Sequence, residues 1–582
     1  MLPTLLRRRR ATMRGDDGIA LILVVSVGFI VTTLMATLMA YTVLSVTHAR
    51  KEQDYQAALS AAQAGVDDYL SHLNANNVYW QSTDCANGAM QRPMPGARPT
   101  CGWDSTIPVG WRSLAGAQTP SGVSCSTMPT PVACTVYHYD VDASGTLGNG
   151  TISVTSTGRS KAVSRSIRVS VRRQSFGDFL YFTDYETVDP SNPFVYGFNN
   201  TQAASVCARH YWDNPPRNPG CVNINFIDGD TINGPLHSND AILMSGSPQF
   251  NGPVTTAYPS CQPTGGAAPP ASSCYRNGGN ASPSFAKGIS YVNRLPLPAS
   301  NGALQAQTVA ATATGTPGCG YIGPTRIHFY NDGSMDVWSP YTTTVNPGCG
   351  NAPFSSVAQR VSVPNNNVIF VAPVPSGQTT PAAGNCAPGA IGGYPQANDV
   401  NYYYGEYDCR AGTLFVDGTL SGRVTVGAQS SIVITDNLTY ANGSASGDSL
   451  GLIAANSVEV YHPVQCTRTD DNGNCSAGTN MNRPGGTPFT NPTIQAAVLS
   501  LQHSFAVQMY SLGAPLGTLN LYGSVGQLYR GAVGTGNGGA TTGYLKSYVY
   551  DTRLKFAPPP FYLNPVQAKY ISAVFAEIPP AY

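Results

Sequence analysis

Residues 19–46 contain no Asp, Glu, Lys or Arg. No other feature of the chain restricts its folding as strongly. These 28 uncharged, mostly apolar residues exceed the roughly 20 that a helix needs to cross the hydrocarbon core of a bilayer. Arg7–Arg10 and Arg14 precede the run, and His48, Arg50 and Lys51 follow it. Positive flanks tend to stay on the cytoplasmic side. The expected topology is N-terminus inside and residues 50–582 outside. A secretory signal is the competing reading. Its apolar region spans about 7–15 residues and ends at a small-x-small cleavage site. The run here is longer and lacks an A-x-A, which leaves cleavage near Ser45 as the alternative.

The helical pattern continues past the apolar run. Thr47 to Asn74 holds no Pro and a single Gly. Ala58, Ala62, Val66, Tyr69 (or Leu70) and Leu73 recur at three- and four-residue spacing, the stripe of an amphipathic helix. Arg50, Lys51, Glu52, Asp54, Asp67 and Asp68 occupy other faces. One helix over 19–74 would be roughly 84 Å long at about 1.5 Å per residue. Half of it would sit in lipid and half would lead into the head.

A basic leader ending in Gly18, then Ile19-Ala-Leu-Ile-Leu-Val-Val25, then Ala57-Ala-Leu-Ser-Ala-Ala-Gln-Ala-Gly-Val66, resembles the N-terminal region of type IV pilins and pseudopilins. Minor, PilX-type members are the nearest in pattern. The resemblance covers about the first 75 residues. It implies cleavage by a prepilin peptidase between Gly18 and Ile19. It also implies that Ile19–Val46 bundles with other pilin helices in a filament. Two departures matter. Asp16 and Asp17 stand where many family members carry a basic residue. Leu23 stands at the fifth mature position, where major pilins place a Glu against a neighbour's N-terminal amine. A buried, unpaired amine is costly. The missing acid therefore points to a minor subunit that initiates or caps a filament.

Charged residues make up only 11% of the chain, and the net charge is +1. No basic field attracts nucleic acid. The 14 cysteines all lie beyond residue 84, and no C-x-x-C occurs. An even cysteine count outside the membrane reads as disulfides formed in an oxidising compartment. Short loops separate Cys85/Cys101, Cys125/Cys134, Cys207/Cys221, Cys261/Cys274, Cys386/Cys409 and Cys466/Cys475. Spacing does not determine connectivity, so sequence-adjacent pairing is a working assumption.

Beyond the helix the fold class reads as α+β: a long N-terminal transmembrane, pilin-like helix followed by a mainly β head. The expected divisions are a leader (1–18), the helix (19–74), a loop-rich disulfide region with a small antiparallel sheet (75–175) and a β-rich extracellular domain (176–582). Thr135–Tyr139, Thr151–Thr155 and Ser166–Val171 alternate with the strand period. Around Asp230–Leu236, Leu414–Leu420 and Leu519–Val525, apolar beats of two or three residues alternate with Gly, Asn or Asp. That texture favours an irregular β-helix (solenoid) core over a β-sandwich, the alternative. Phe179–Glu186, Asp230–Asn239 and Tyr544–Asp551 resemble large PilX-like proteins of Gram-positive, especially actinobacterial, origin. A short helix is expected at Pro565–Phe575.

Motifs for chemistry are sparse. Asp140-x-Asp142-x-Ser144-Gly145 has the start of a calcium loop, but Thr151 replaces the bidentate Glu, and a hairpin turn explains the residues. Asp470-Asp471-Asn472-Gly473 is a second weak calcium candidate. Gly534-x-Gly536-x-Gly538-Gly539 lacks the helix and lysine of a phosphate loop. Asp228, Asp230 and Asp240 suit a catalytic groove, yet Asp is also an ordinary turn residue. Tyr402–Tyr404 and Tyr407 offer aromatic platforms for surface glycans. The reading is a minor pilin-like, non-enzymatic envelope protein without a cofactor, acting in type IV pilus assembly, tip capping or adhesion. Its partners would be prepilin peptidase, other pilins or pilus-assembly proteins, membrane lipid and surface glycans, and no nucleic acid. The rivals are a membrane-tethered β-helix carbohydrate enzyme and a plain single-pass adhesin.

Overall fold

The computed structural model describes residues 17–93, 101–114, 125, 134–144, 151–196, 201–354, 357–378, 389–397, 399, 408–471, 475–536, 540–566 and 568–582. The chain divides into two compact units. The first comprises 1–141, 154–169 and 575–582, and the second 142–153 and 170–574.

A single helix, Asp17–Ala75, dominates the first unit. Its 59 residues make it roughly 89 Å long at about 1.5 Å per residue. Ala58, Ala61, Ala62, Val66, Tyr69 and Leu73 are buried against the unit's sheet. Tyr69 rather than Leu70 completes the stripe, because Leu70 stays partly exposed. Small residues set the helix–sheet distance. A Cβ on Gly158 would lie 2.0 Å from the Ala58 carbonyl oxygen, and one on Gly65 would lie 2.3 Å from Ser156 Oγ. Polar residues on the flanks tie the same surfaces together. Lys161 pairs with Asp54 at 2.8 Å, and Tyr139 donates to Asp68 at 3.0 Å.

Five strands form the sheet, in the order Arg112–Ser113, Val136–Asp142, Thr151–Ser160, Val163–Arg173 and Tyr570–Ile578. The expected helix at Pro565–Phe575 is therefore corrected to a strand. Tyr570-Ile-Ser-Ala-Val-Phe575 carries β-branched and aromatic residues suited to a pleated surface, and the sheet offers it an unpaired edge. Glu577 pairs with Arg165, and the Ala581 N–H donates to Ser166 Oγ at 2.8 Å.

The second unit is mainly β, and most of its strand pairs are parallel. One ladder runs through ten strands, and a single file of residues marks its register: Cys319, Ile369, Val426, Leu452, Val498, Val525, Tyr181, Leu236, Val254 and Ile289. A second ladder aligns Ile327, Val416, Ile434, Val460 and Val507. These files belong to one hydrophobic core. Parallel in-register stacking places like apolar residues over one another, so each strand buries its neighbour's inner face. The ladder does not follow chain order. Tyr181–Tyr185, the unit's first strand in this ladder, lies between Pro515–Tyr529 and Leu236–Ser238.

Disulfides join Cys85–Cys101, Cys125–Cys134, Cys207–Cys221, Cys261–Cys274, Cys319–Cys349 and Cys466–Cys475. Cys409 is also disulfide-bonded; the expected pairing with Cys386 falls outside the described residues.

Candidate functional site

The N-terminal half of the long helix is the most unusual surface among the described residues. Every residue from 21 to 50 is exposed. Leu21, Phe29 and Tyr41 each expose 66–71% of their surface. Contiguous apolar patches beyond a few hundred Å² mark interaction or membrane surfaces. Among the described residues it is the one helix long and apolar enough to cross a membrane.

The hydroxyls on this segment fit an apolar environment. Thr32, Thr33 and Thr37 donate to the carbonyls of Gly28, Phe29 and Thr33 at 2.9, 2.7 and 3.0 Å. Thr42, Ser45 and Thr47 donate to Met39, Thr42 and Leu44 at 2.9, 2.9 and 2.7 Å. Each of these six hydroxyls is thus satisfied one turn back, which spares it the cost of an unmet donor in hydrocarbon. Gly18 and Ile19 fall in the helix's first turn. Leu23 and Val46 lie on its exposed surface, and the leader 1–16 lies outside the described residues.

Asp140 and Asp142 are engaged by protein donors. Asp140 accepts from Tyr582 Oη at 2.6 Å and pairs with Arg92. Burial alone raises its carboxyl, but His138, Tyr582 and Arg92 outweigh that and hold it below the usual range. Asp142 accepts the Ser144 N–H at 3.0 Å, the local bond of a turn; Gly145 lies outside the described residues. Asp470 and Asp471 follow the strand Val464–Thr469 in the Cys466–Cys475 loop, whose residues 472–474 are outside the description. No group of three or more His, Cys, Asp or Glu among the described residues is placed to hold a metal ion.

Asp228 accepts the Ser247 N–H at 2.6 Å, and Asp230 accepts the Ile227 N–H at 3.0 Å. Asp240 is fully buried, pairs with Arg217, and accepts the Glu186 and Tyr211 N–H groups, each at 2.9 Å. Each of the three aspartates thus fixes backbone. Gly534–Gly536 forms a strand antiparallel to Ala540–Tyr550, with Gly538 and Gly539 outside the described residues. Tyr402–Tyr404 and Tyr407 also lie outside them.

Sequence reading missed two sets of residues. Arg530 and Glu186 form a fully buried ion pair at 3.1 Å across 344 positions of sequence. Nothing local in the sequence signals that pairing. Tyr211 and Trp212 sit side by side in the Cys207–Cys221 loop, and that doublet within a short cysteine loop was a readable signal.

Residues 135–261 match the family model of a domain of unknown function, DUF4900. No curated protein sequence matches the chain. Among solved structures, the competence-associated pilin ComZ from Thermus thermophilus aligns at 12% identity and a TM-score of 0.25, covering 90% of this chain and 97% of its own.

Proposed function

We propose that this protein is a minor, pilin-like, non-enzymatic component of a cell envelope. It is inserted with its N-terminus in the cytoplasm, trimmed after Gly18 by a prepilin peptidase, and drawn with other pilins into a type IV pilus or related filament. Ile19–Val46 packs first with lipid and then with neighbouring pilin helices. The head primes assembly, caps the tip or binds a surface. In this reading the parallel ladders of the second unit are coils of an irregular β-helix.

One observation carries the proposal. A single continuous helix leaves its N-terminal half bare, with its Thr32, Thr33 and Thr37 hydroxyls satisfied internally, and packs its C-terminal half on an antiparallel sheet through Ala58, Ala62 and Gly158. A plain membrane anchor needs only the first half. The role of Asp228, Asp230 and Asp240 in fixing backbone supports the non-enzymatic part. Leu23, in place of an acid, supports the minor-subunit part.

Cells that carry a prepilin peptidase are the test. Wild-type protein is expected to migrate faster than Gly18→Leu protein on a western blot, the difference being the loss of the leader. Equal mobility of the two would remove the pilin reading and leave the tethered adhesin.

A further inference from the structure

Two disulfide-closed loops of the second unit bring aromatic side chains to one surface. Cys207–Cys221 encloses Tyr211 and Trp212, and Tyr258 stands just before the Cys261–Cys274 loop. The Trp212 and Tyr258 rings lie 5.5 Å apart, and Tyr211 lies 6.3 Å from Tyr258. Tyr211 is 39% exposed, and the other two rings are partly exposed.

This surface is held rigidly from beneath. His210, buried, sits between two carboxylates, with Nε2 3.1 Å from Asp184 and Nδ1 3.1 Å from Asp213. Buried Asp240 takes the Tyr211 N–H at 2.9 Å. The Arg276 guanidinium lies 3.6 Å from the Tyr211 ring centre, fixing that ring from one side. A polar rim adjoins the rings: Arg294 is exposed beside Trp212 and pairs with Asp213 at 2.9 Å. Burial raises the Asp213 carboxyl, but the His210 N–H, Arg294 and the His210 ring outweigh it and keep it below the ordinary carboxylate range. It therefore remains a hydrogen-bond acceptor at neutral pH.

We propose that Trp212, Tyr258 and Tyr211, with the Arg294–Asp213 pair at their edge, form a binding site for an uncharged oligosaccharide. Sugar rings have an apolar C–H face, which aromatic rings cover, and a rim of hydroxyls, which fixed donors and acceptors recognise. The Arg294–Asp213 pair at the rim is neutral overall, which suits an uncharged ligand there, and Arg276 is engaged on the Tyr211 ring. Rings fixed in advance lose little conformational entropy on binding. The site gives the surface-binding role proposed above a chemical target and rests on that reading. Trimming after Gly18 reads the filament proposal separately, so the two can fail independently.

The test is calorimetric titration of the full-length protein, in a detergent that contains no sugar, with chitotetraose and with cellotetraose. Wild-type protein is expected to bind at least one of them. The Trp212→Ala/Tyr258→Ala double variant is expected to bind about tenfold more weakly or not at all, while Trp212→Phe retains most of the affinity. Unchanged thermal unfolding of the variants shows that the loops still fold. Absence of binding to both sugars, equal affinity of the double variant, or tighter binding of a single-stranded oligothymidylate would each overturn the assignment.

Discussion

Glu459 lies between Val458 and Val460 on a core strand, and all three side chains are fully buried. Gln508 Nε2 donates to one carboxyl oxygen at 2.6 Å, and the Ser457 hydroxyl donates to the other. Burial pushes the carboxyl up to about 7 against these bonds and the nearby His503. The folded state therefore holds this proton more tightly than the unfolded chain, whose ordinary value is 4.5. Its contribution to stability is fully present below pH 4.5 and is lost as pH rises to about 7, on the order of 3 kcal/mol. The unfolding free energy of wild type relative to Glu459→Gln is expected to fall between pH 4.5 and pH 7.5. Parallel pH profiles from urea titration would sink this account. The sequence places Glu459 on a strand, but not beneath other chain. Alternation alone predicts an outward, hydrated acid. Only its burial in the folded core makes it an acid with a raised pKa, in spite of the Gln508 and Ser457 bonds.

Strands and their junctions carry the next level of argument. Glu186, just beyond Tyr181–Tyr185, accepts from Ser238 Oγ at 2.9 Å on one neighbouring strand and from Arg530 at 3.1 Å beside the other. Arg530 also donates to the Ile224 carbonyl at 2.9 Å and lies 3.8 Å from the Phe226 ring centre. This pair therefore fastens the strand that begins the unit to the segment that nearly ends it. Breaking one side of a buried pair leaves an uncompensated charge and costs about 3–5 kcal/mol. Arg530→Met is expected to destabilise the second unit by that amount, and Arg530→Met/Glu186→Gln by clearly less. The measurement is denaturant unfolding of all members of the double-mutant cycle. Additive losses would mean that the two side chains act separately. The strands themselves were readable from alternation and turn residues. Their neighbours were not, because a parallel ladder pairs segments far apart in sequence. The helix expected at Pro565–Phe575 failed for a related reason, since local apolar spacing is ambiguous until a free sheet edge is available.

For the molecule as a whole, the decisive feature is that the sheet of the first unit is finished by the last residues of the chain. Residues 575–582 supply Glu577 for Arg165, Tyr582 for Asp140 at 2.6 Å, and the Ala581 N–H for Ser166. Most of the second unit is thus inserted, in sequence terms, between two neighbouring strands, Val163–Arg173 and Tyr570–Ile578. Truncation after Val574 is expected to expose residues 136–169 to protease while the core of the second unit stays resistant. Limited proteolysis followed by peptide mass mapping reads the difference. Cleavage rates equal to those of the full chain would mean that the final strand is dispensable. The disulfides fit the same view: the pairs 9–16 residues apart were readable as neighbours, whereas Cys319–Cys349, 30 residues apart, depends on how the loop at Cys349 folds back on the strand Cys319–Ile322.

By itself the sequence determined the long helix, its bare half and its packing stripe, because helical periodicity and the lack of charge are local properties that no distant residue needs to complete. It also determined that the remainder is mainly β, since short alternating segments between Gly, Asn and Pro leave little else. The tertiary structure alone decided the order of the ladder, the Glu186–Arg530 pair, the perturbed Glu459, the chain-end strand and the meeting of Trp212 with Tyr258. Each of these is a contact between segments that are remote in sequence. Such contacts are selected by the collective burial of a core and by hydrogen bonding that no single segment specifies.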